Sequence, residues 1–312
     1  MENTKYAGEA VLVTGVHALS SSLSVCLLLG GHRVIFLTPE VEKAKMLVAQ
    51  HHAALERHKR DTWDQSRLEI TATLRERPDI GLAFIIASEE LAEKKKAVAE
   101  LEGYLSPTAV IAVNTESIPL SQLQDGAIRK DRILGANWVE PVHTTSFLEL
   151  ICNAATDDQI AEDLMTLARR NWGKDPYRVT GELGIRAKLF SAMVREAFYL
   201  VGNDYASIED IDRACRNDAG YYLPFAGNFR YMDLMGTYAY GMVMKDLNPE
   251  LCNDTELPAF FKEILAEGHS GMATGSGFYS YKAGDVMLWK ERFRIFSYQI
   301  EEIIRKYPFN TP

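Results

Sequence analysis

Six short runs of apolar and β-branched residues, AVLVTG (10–15), HRVIFLT (32–38), IGLAFIIAS (80–88), TAVIAVNT (108–115), RILGANWV (132–139) and FLELICN (147–153), are separated by longer polar stretches with a helical period. Strands that are apolar throughout must be covered on both faces, and helices between successive strands supply that cover. The pattern predicts an α/β fold: a Rossmann-like, doubly wound parallel sheet. Residues 39–79 read as charged and helical, and LAEKKKAVAELEGYL (91–105) as an amphipathic helix. After PYRVT (176–180) the period changes. In GIRAKLFSAMVREAFYLVGN (184–203) apolar residues recur at Ile185, Leu189, Met193, Ala197 and Val201, and SIED (207–210) is a helix N-terminal signature. The chain is therefore expected to have a dinucleotide-binding-type domain over residues 1–180 and an all-helical domain over 181–312, joined without a Gly/Ser-rich linker.

The first apolar run leads into VLVTGVHALSSSLSV (11–25), the place for a strand–turn–helix phosphate loop of pattern G-x-G-x-x-G. Gly15 holds the first glycine position, His17 the second and Ser20 the third. A glycine at the second position lets the backbone approach a pyrophosphate, so the His17 side chain is expected to crowd the turn and weaken binding. The residue ending the second strand, where a carboxylate would grip the ribose hydroxyls, is the uncharged Thr38. Lys43 is the nearest cation for a 2′-phosphate, and nothing else in TPEVEKAK points to NADP.

Composition narrows the partners. The 312 residues are 47% hydrophobic and 25% charged, with a formal net charge of −9 and no acidic or basic tail. Neither nucleic acid nor an anionic membrane is an expected partner, and a small molecule is. No run reaches the length of a membrane helix, and MENTKYAGEA has no basic and apolar leader, so a cytoplasmic location is expected. Cys26, Cys152, Cys215 and Cys252 form no C-x-x-C pair; reduced thiols, three of them in core surroundings, and no metal site are expected.

SEELAEKKKAVAELEGYLSPTAVIAVNTESI, DRILGANWVEPVHTTSFLELI, ASIEDID and GMATGSGFYSY, in this order, resemble the 3-hydroxyacyl-CoA dehydrogenases, a likeness running from about residue 9 to 282. The resemblance implies an NAD-binding domain followed by a helical dimerisation domain, and NAD-dependent interconversion of 3-hydroxyacyl-CoA and 3-oxoacyl-CoA. It implies that Glu89, Lys94 and Asn114 lie on the nicotinamide side of the cofactor site; the residues alone leave Glu89 and Lys94 equally readable as exposed first-turn charges of a helix.

At the catalytic positions the chain departs from the family. The general-base histidine is replaced by Asn137, and the asparagine three residues later by Glu140. An amide nitrogen has no basic lone pair, and loss of a general base costs about two to four orders of magnitude in rate. Glu149 matches the glutamate that would orient that histidine and is expected to lack its partner. The substrate-binding serine aligns with Glu116, with Ser117 one residue on, and the asparagine of the second domain aligns with Ala187. Ordinary activity is thus expected to be weak or absent, with Glu140 as a replacement base, close to Glu149, the catalytic alternative. The other alternative is a non-catalytic protein that keeps the fold to bind an acyl-CoA or a partner subunit.

Three further features complete the reading. His143 follows Asn137 by six residues on an inter-strand loop and reads as a loop or substrate-entry residue. AQHHAALERHKR (49–60) reads as a solvated helix whose Arg57, Lys59 and Arg60 offer donors to a CoA 3′-phosphate. In DVMLWKERFRIFSYQIEEIIRKYPF (285–309) the residues Trp289, Phe293, Phe296, Ile300, Ile303 and Tyr307 make one apolar helical seam. It must be covered, either by its own domain or by a second chain, and a homodimer is expected.

Overall fold

The computed structural model describes residues 5–74 and 79–308. The chain divides into two compact units, Met1–Ala187 and Lys188–Pro312. The first is built on strands β1 (Ala10–Thr14), β2 (Arg33–Leu37), β3 (Leu68–Thr71), β4 (Leu82–Ile85), β5 (Val110–Val113), β6 (Ile133–Asn137), β7 (Glu149–Cys152) and β8 (Tyr177–Thr180). They form one sheet in the order β3-β2-β1-β4-β5-β6-β7-β8. All neighbours are parallel except β6 and β7. That exception follows from the connection. Residues 138–148 hold only a single 3-10 turn, Val142–Thr144, and a parallel return needs a longer crossover.

The six expected strands are present, and two were not expected. β3 lies inside the stretch read as helical, and β8 is PYRVT, read as a boundary. Both are four-residue strands whose side chains are only partly buried, so neither gives an apolar run that stands out in sequence.

Helices α1 (Ala18–Leu29), α2 (Val41–Arg57), α3 (Leu91–Tyr104), α4 (Leu120–Gln124) and α5 (Asp158–Asn171) flank the sheet. Against one face, Leu12, Ile35, Ala83, Ile85 and Ile111 pack with Val98 and Leu101 of α3 and with Leu120 and Leu123 of α4. Elsewhere in the core Phe84, Trp138 and Trp172 form an aromatic cluster with ring centroids 5.6–5.9 Å apart. Fully buried His32 is wired into it: its Nε2 takes the Trp172 indole N–H at 2.9 Å, which leaves Nδ1–H to donate to the Glu9 carbonyl at 3.1 Å. Cys26, Cys152 and Cys252 are buried and Cys215 exposed, all four free.

Helix α6 (Ile185–Gly202) begins at the end of the first unit and runs into the second. The second unit continues with α7 (Ile208–Asn217), α8 (Ala219–Met235), α9 (Thr237–Leu247), α10 (Ala259–Ala266) and α11 (Asp285–Lys306). Ser207 caps α7 through the Asp210 amide, 3.2 Å away, as SIED implied. No described helix is long and apolar enough to cross a membrane.

Among the described residues of this unit only Ala226, Cys252, Ser297 and Tyr298 are buried. The α11 seam is open: Trp289, Phe293, Phe296 and Tyr307 are each 51–54% exposed. The expectation that the chain's own helical domain covers the seam is therefore corrected. Ser297 and Tyr298, off the seam, are the α11 residues that the chain buries.

The His32 wiring gives a pH test. Burial disfavours the charged imidazole and outweighs the opposing hydrogen bond to the Glu9 carbonyl, so the ring is held below its ordinary value. The unfolded chain thus binds a proton more readily than the folded one. Its contribution is fully present above about pH 6.5 and is lost as pH falls further. His32→Phe should lower stability at pH 7.5 by about 1–3 kcal/mol by orphaning the Trp172 N–H and Glu9 carbonyl. It should also flatten the decline in stability between pH 7 and 5, checked by denaturant titration at each pH.

Candidate active site

The turn after β1 keeps the geometry of a phosphate loop at its first position. Gly15 has φ +141°, and a Cβ there would collide with the Ile86 carbonyl, so no other residue fits. His17 sits at the N-cap of α1 with φ −100°, a conformation open to any residue, and is exposed. Ser20, at the third glycine position, is fully buried; its hydroxyl donates to the His17 carbonyl at 2.7 Å and accepts from the His17 amide at 3.2 Å. The turn is thus closed by a serine where a glycine was expected. The first turn of α1 carries no acidic residue, which leaves the helix end compatible with an anion.

At the ribose end Thr38 is 1% exposed and its hydroxyl accepts from the Glu40 amide at 3.2 Å, so it serves the entry to α2. Lys43 pairs with Glu40 rather than standing open for a phosphate. These side chains line a small crevice with Val16, Ser21 and Ala44.

At the ends of β4 and β5, Glu89 and Lys94 are not the exposed pair that one sequence reading allowed. Lys94 is fully buried; it pairs with Glu89 at 3.1 Å and donates to the Asn114 carbonyl. Glu89 accepts from the amides of Glu116, Ser117 and Ile118 at 2.7–3.1 Å. Burial opposes ionisation of Glu89, but the Ser117 amide and the Lys94 charge outweigh it and hold its carboxyl below the usual range. The Asn114 side-chain oxygen is buried and, among the described residues, has no hydrogen-bond partner. A buried amide oxygen left open beside this loop fits a ligand with an N–H donor, such as a nicotinamide carboxamide.

Asn137, fully buried at the end of β6, is bonded twice to the Thr115 backbone. Its Oδ1 accepts from the amide at 2.9 Å and its Nδ2 donates to the carbonyl at 2.8 Å. The second Nδ2 proton goes to Glu149, 3.1 Å away. Glu149, expected to lack the histidine it would orient, holds the Asn137 amide instead. This fully buried carboxylate also accepts from the Tyr177 hydroxyl at 3.0 Å and from the Ile185 and Arg186 amides at 2.8 and 3.1 Å. Glu149 caps α6, and a Cβ at Gly184 would run into its carboxylate. Burial and the Glu149 charge push the Tyr177 phenol far up, so it stays protonated as a donor.

Glu116 is bonded to Arg186, Nη1 to Oε1, at 2.6 Å. Ser117 is exposed and its hydroxyl lies 3.3 Å from Glu89. Ala187 lies on the first turn of α6 and offers no polar group. Tyr177 and Arg186 were not singled out in the sequence; the one signal was the lone aromatic of PYRVT beside a strand that went unread.

Glu140 takes a hydrogen bond from Ser22 of α1, whose oxygen also accepts from the Val142 amide at 3.2 Å. His143 packs edge-on against His51, ring centroids 5.0 Å apart. His51 is 6% exposed, so helix α2 is not solvated all round, while Arg57 and Lys59 at its end are exposed. Among the described residues no group of three or more His, Cys, Asp or Glu is arranged to hold a metal ion.

The sequence profile of the NAD binding domain of 3-hydroxyacyl-CoA dehydrogenase matches residues 10–182, and that of the C-terminal domain of the same enzyme matches 185–281. The chain belongs to the 3-hydroxyacyl-CoA dehydrogenase family. It is 31% identical over 196 residues to the fatty acid oxidation complex subunit alpha of Vibrio cholerae, covering 62% of this chain but only 27% of that one. A probable 3-hydroxybutyryl-CoA dehydrogenase of Bacillus subtilis is 26% identical over 219 residues, 70% of this chain and 75% of its own. The fold is shared with a 5-formyl-3-hydroxy-2-methylpyridine 4-carboxylic acid 5-dehydrogenase, TM-score 0.88 at 20% identity over 95% of this chain and 98% of that one. It is also shared with the (S)-3-hydroxybutyryl-CoA dehydrogenase of Ralstonia eutropha, TM-score 0.71 at 23% identity over 88% and 99%.

Glu89→Gln should lower stability by about 1–3 kcal/mol, because it strips a buried ammonium of its counter-charge. Since the folded-state carboxyl titrates below its ordinary value, the difference from the parent should be full above about pH 4.5 and shrink as pH falls below it. Thermal melts of both proteins from pH 7 to 3.5 check the sign.

Proposed function

We propose that this chain is a 3-hydroxyacyl-CoA dehydrogenase-family protein that binds NAD(H) weakly and interconverts 3-hydroxyacyl-CoA and 3-oxoacyl-CoA weakly or not at all. The observation that carries this reading is the state of Asn137. Both amide protons and the amide oxygen are engaged, two with Thr115 and one with Glu149, at the place where a general base would stand. An amide so held neither takes the hydroxyl proton nor passes it on. Gly15 and the first turn of α1 would hold the pyrophosphate, Asn114 would face the carboxamide, and the Glu89–Lys94 pair would fix the loop that carries both Asn114 and Ser117. A bound nicotinamide supplies hydride transfer; the protein's share is binding and orientation. Weak affinity is inferred from the exposed imidazole of His17 at the helix end and from the commitment of the Thr38 hydroxyl to the Glu40 amide. A cytoplasmic location is part of the same reading.

The helical unit points to a homodimer under this reading and equally under the second one, a non-catalytic acyl-CoA- or partner-binding homologue that keeps the fold. A unit of this length with four buried residues has almost no core of its own, and a second copy, facing the same deficit, is the partner that would cover both at once. We expect a homodimer in which the α11 seam is covered.

Three measurements test these readings. With acetoacetyl-CoA and NADH, turnover should fall about two to four orders of magnitude below that of a family member with the histidine. Turnover at family rates would overturn the assignment of Asn137. NADH titration followed by nucleotide fluorescence should give weak binding that His17→Gly with Thr38→Asp strengthens. Unchanged affinity in that double variant would overturn the reading of the turn. Light scattering at micromolar concentration should report a dimer, and deletion of residues 285–312 should disrupt it.

A further inference from the structure

The contact between Arg186 and Glu116 does something that the cofactor reading leaves unused. The Arg186 guanidinium gives Nη1–H to Glu116 Oε1 at 2.6 Å and lies over the Phe147 ring, 6.0 Å from its centroid. Its backbone amide is fixed by Glu149, so the side chain springs from an anchored point. Among the described residues nothing accepts from Nε–H or Nη2–H, the two parallel donors on the guanidinium's side edge. The side chain is 40% exposed and Glu116 is 34% exposed. Tyr177, which hydrogen-bonds Glu149, packs edge-on against the same Phe147 ring, centroids 5.9 Å apart. One edge of the guanidinium is thus occupied and the other presents the fork that fits a planar carboxylate.

We propose that the open Nε/Nη2 edge of Arg186 anchors a small ligand bearing a free carboxylate, while Glu116 keeps the other edge and holds the guanidinium in place. The proposal rests on the reading of this loop as a ligand site, and it names the ligand class. Glu116 already shows that a carboxylate oxygen satisfies this guanidinium. A monocarboxylate adds one negative charge beside Glu116 and the buried carboxylate of Glu149, whereas a dianionic phosphate adds two and is opposed more strongly. The ligand class is therefore a small monocarboxylate, rather than a thioester whose carbonyl carries no charge.

The test uses the full-length protein and calorimetric titration with sodium acetoacetate, methyl acetoacetate and inorganic phosphate, each with and without saturating NADH. Acetoacetate should bind, and its neutral methyl ester and phosphate should bind at least about tenfold more weakly. Arg186→Gln should weaken acetoacetate by about tenfold or more, and Glu116→Gln, which removes the neighbouring like charge, should tighten it. Circular dichroism confirms that each variant folds, and the Glu116→Gln arm decides the matter if Arg186→Gln does not. Equal binding of acid and ester, no binding of acetoacetate in either condition, or an unchanged affinity in Glu116→Gln would overturn the proposal. None of these readouts depends on turnover, so the weak-dehydrogenase reading stands or falls separately on the acetoacetyl-CoA assay.

Discussion

The end of the sheet is organised around one buried negative charge. Glu149 is fully buried on β7, and an ionised carboxylate there is tolerable only if its lone pairs are met. Four donors meet them: the Asn137 amide from β6, the Tyr177 hydroxyl from β8, and two amides at the start of α6. The carboxylate thereby ties two neighbouring strands to the helix on which the chain leaves the sheet. The first turn of α6 stays with the sheet unit, and the division falls after Ala187.

The same interaction carries the proposed loss of ordinary activity. A glutamate expected to orient an imidazole instead orients an amide, and that amide is spent on the Thr115 backbone. Glu116, in the place of the family's substrate-binding serine, is spent on Arg186. Asn137, Glu149 and Glu116 each have a local partner, while among the described residues the Asn114 side-chain oxygen and one edge of the Arg186 guanidinium stay open.

Much of this was legible in the chain. The strands buried on both faces announced themselves as apolar runs, and the period change near residue 181 marked the helical half. What went unread was short or half-polar: LEIT of β3 and YRVT of β8 bury too little to leave a pattern. At the site, sequence placed Asn137, Glu149, Glu89 and Lys94 but misjudged their surroundings. The burial of Lys94 is set by β5 and its loop, some twenty residues away in sequence, and the partners of Glu149 come from three separate elements. Spacing along one chain carries no record of such meetings. The α11 seam was legible as a surface in need of cover, but its exposure within the chain was not.

The placement of the four tryptophans gives the two units different optical signatures. Trp63, Trp138 and Trp172 are all under 10% exposed and belong to the sheet unit, whereas Trp289, on α11, is the helical unit's single indole and is half exposed. In a lone chain, then, the emission quenched by a soluble collider such as iodide comes from the helical unit, and the blue-shifted remainder from the sheet. One fluorophore thus watches the seam, while three watch the fold beneath it.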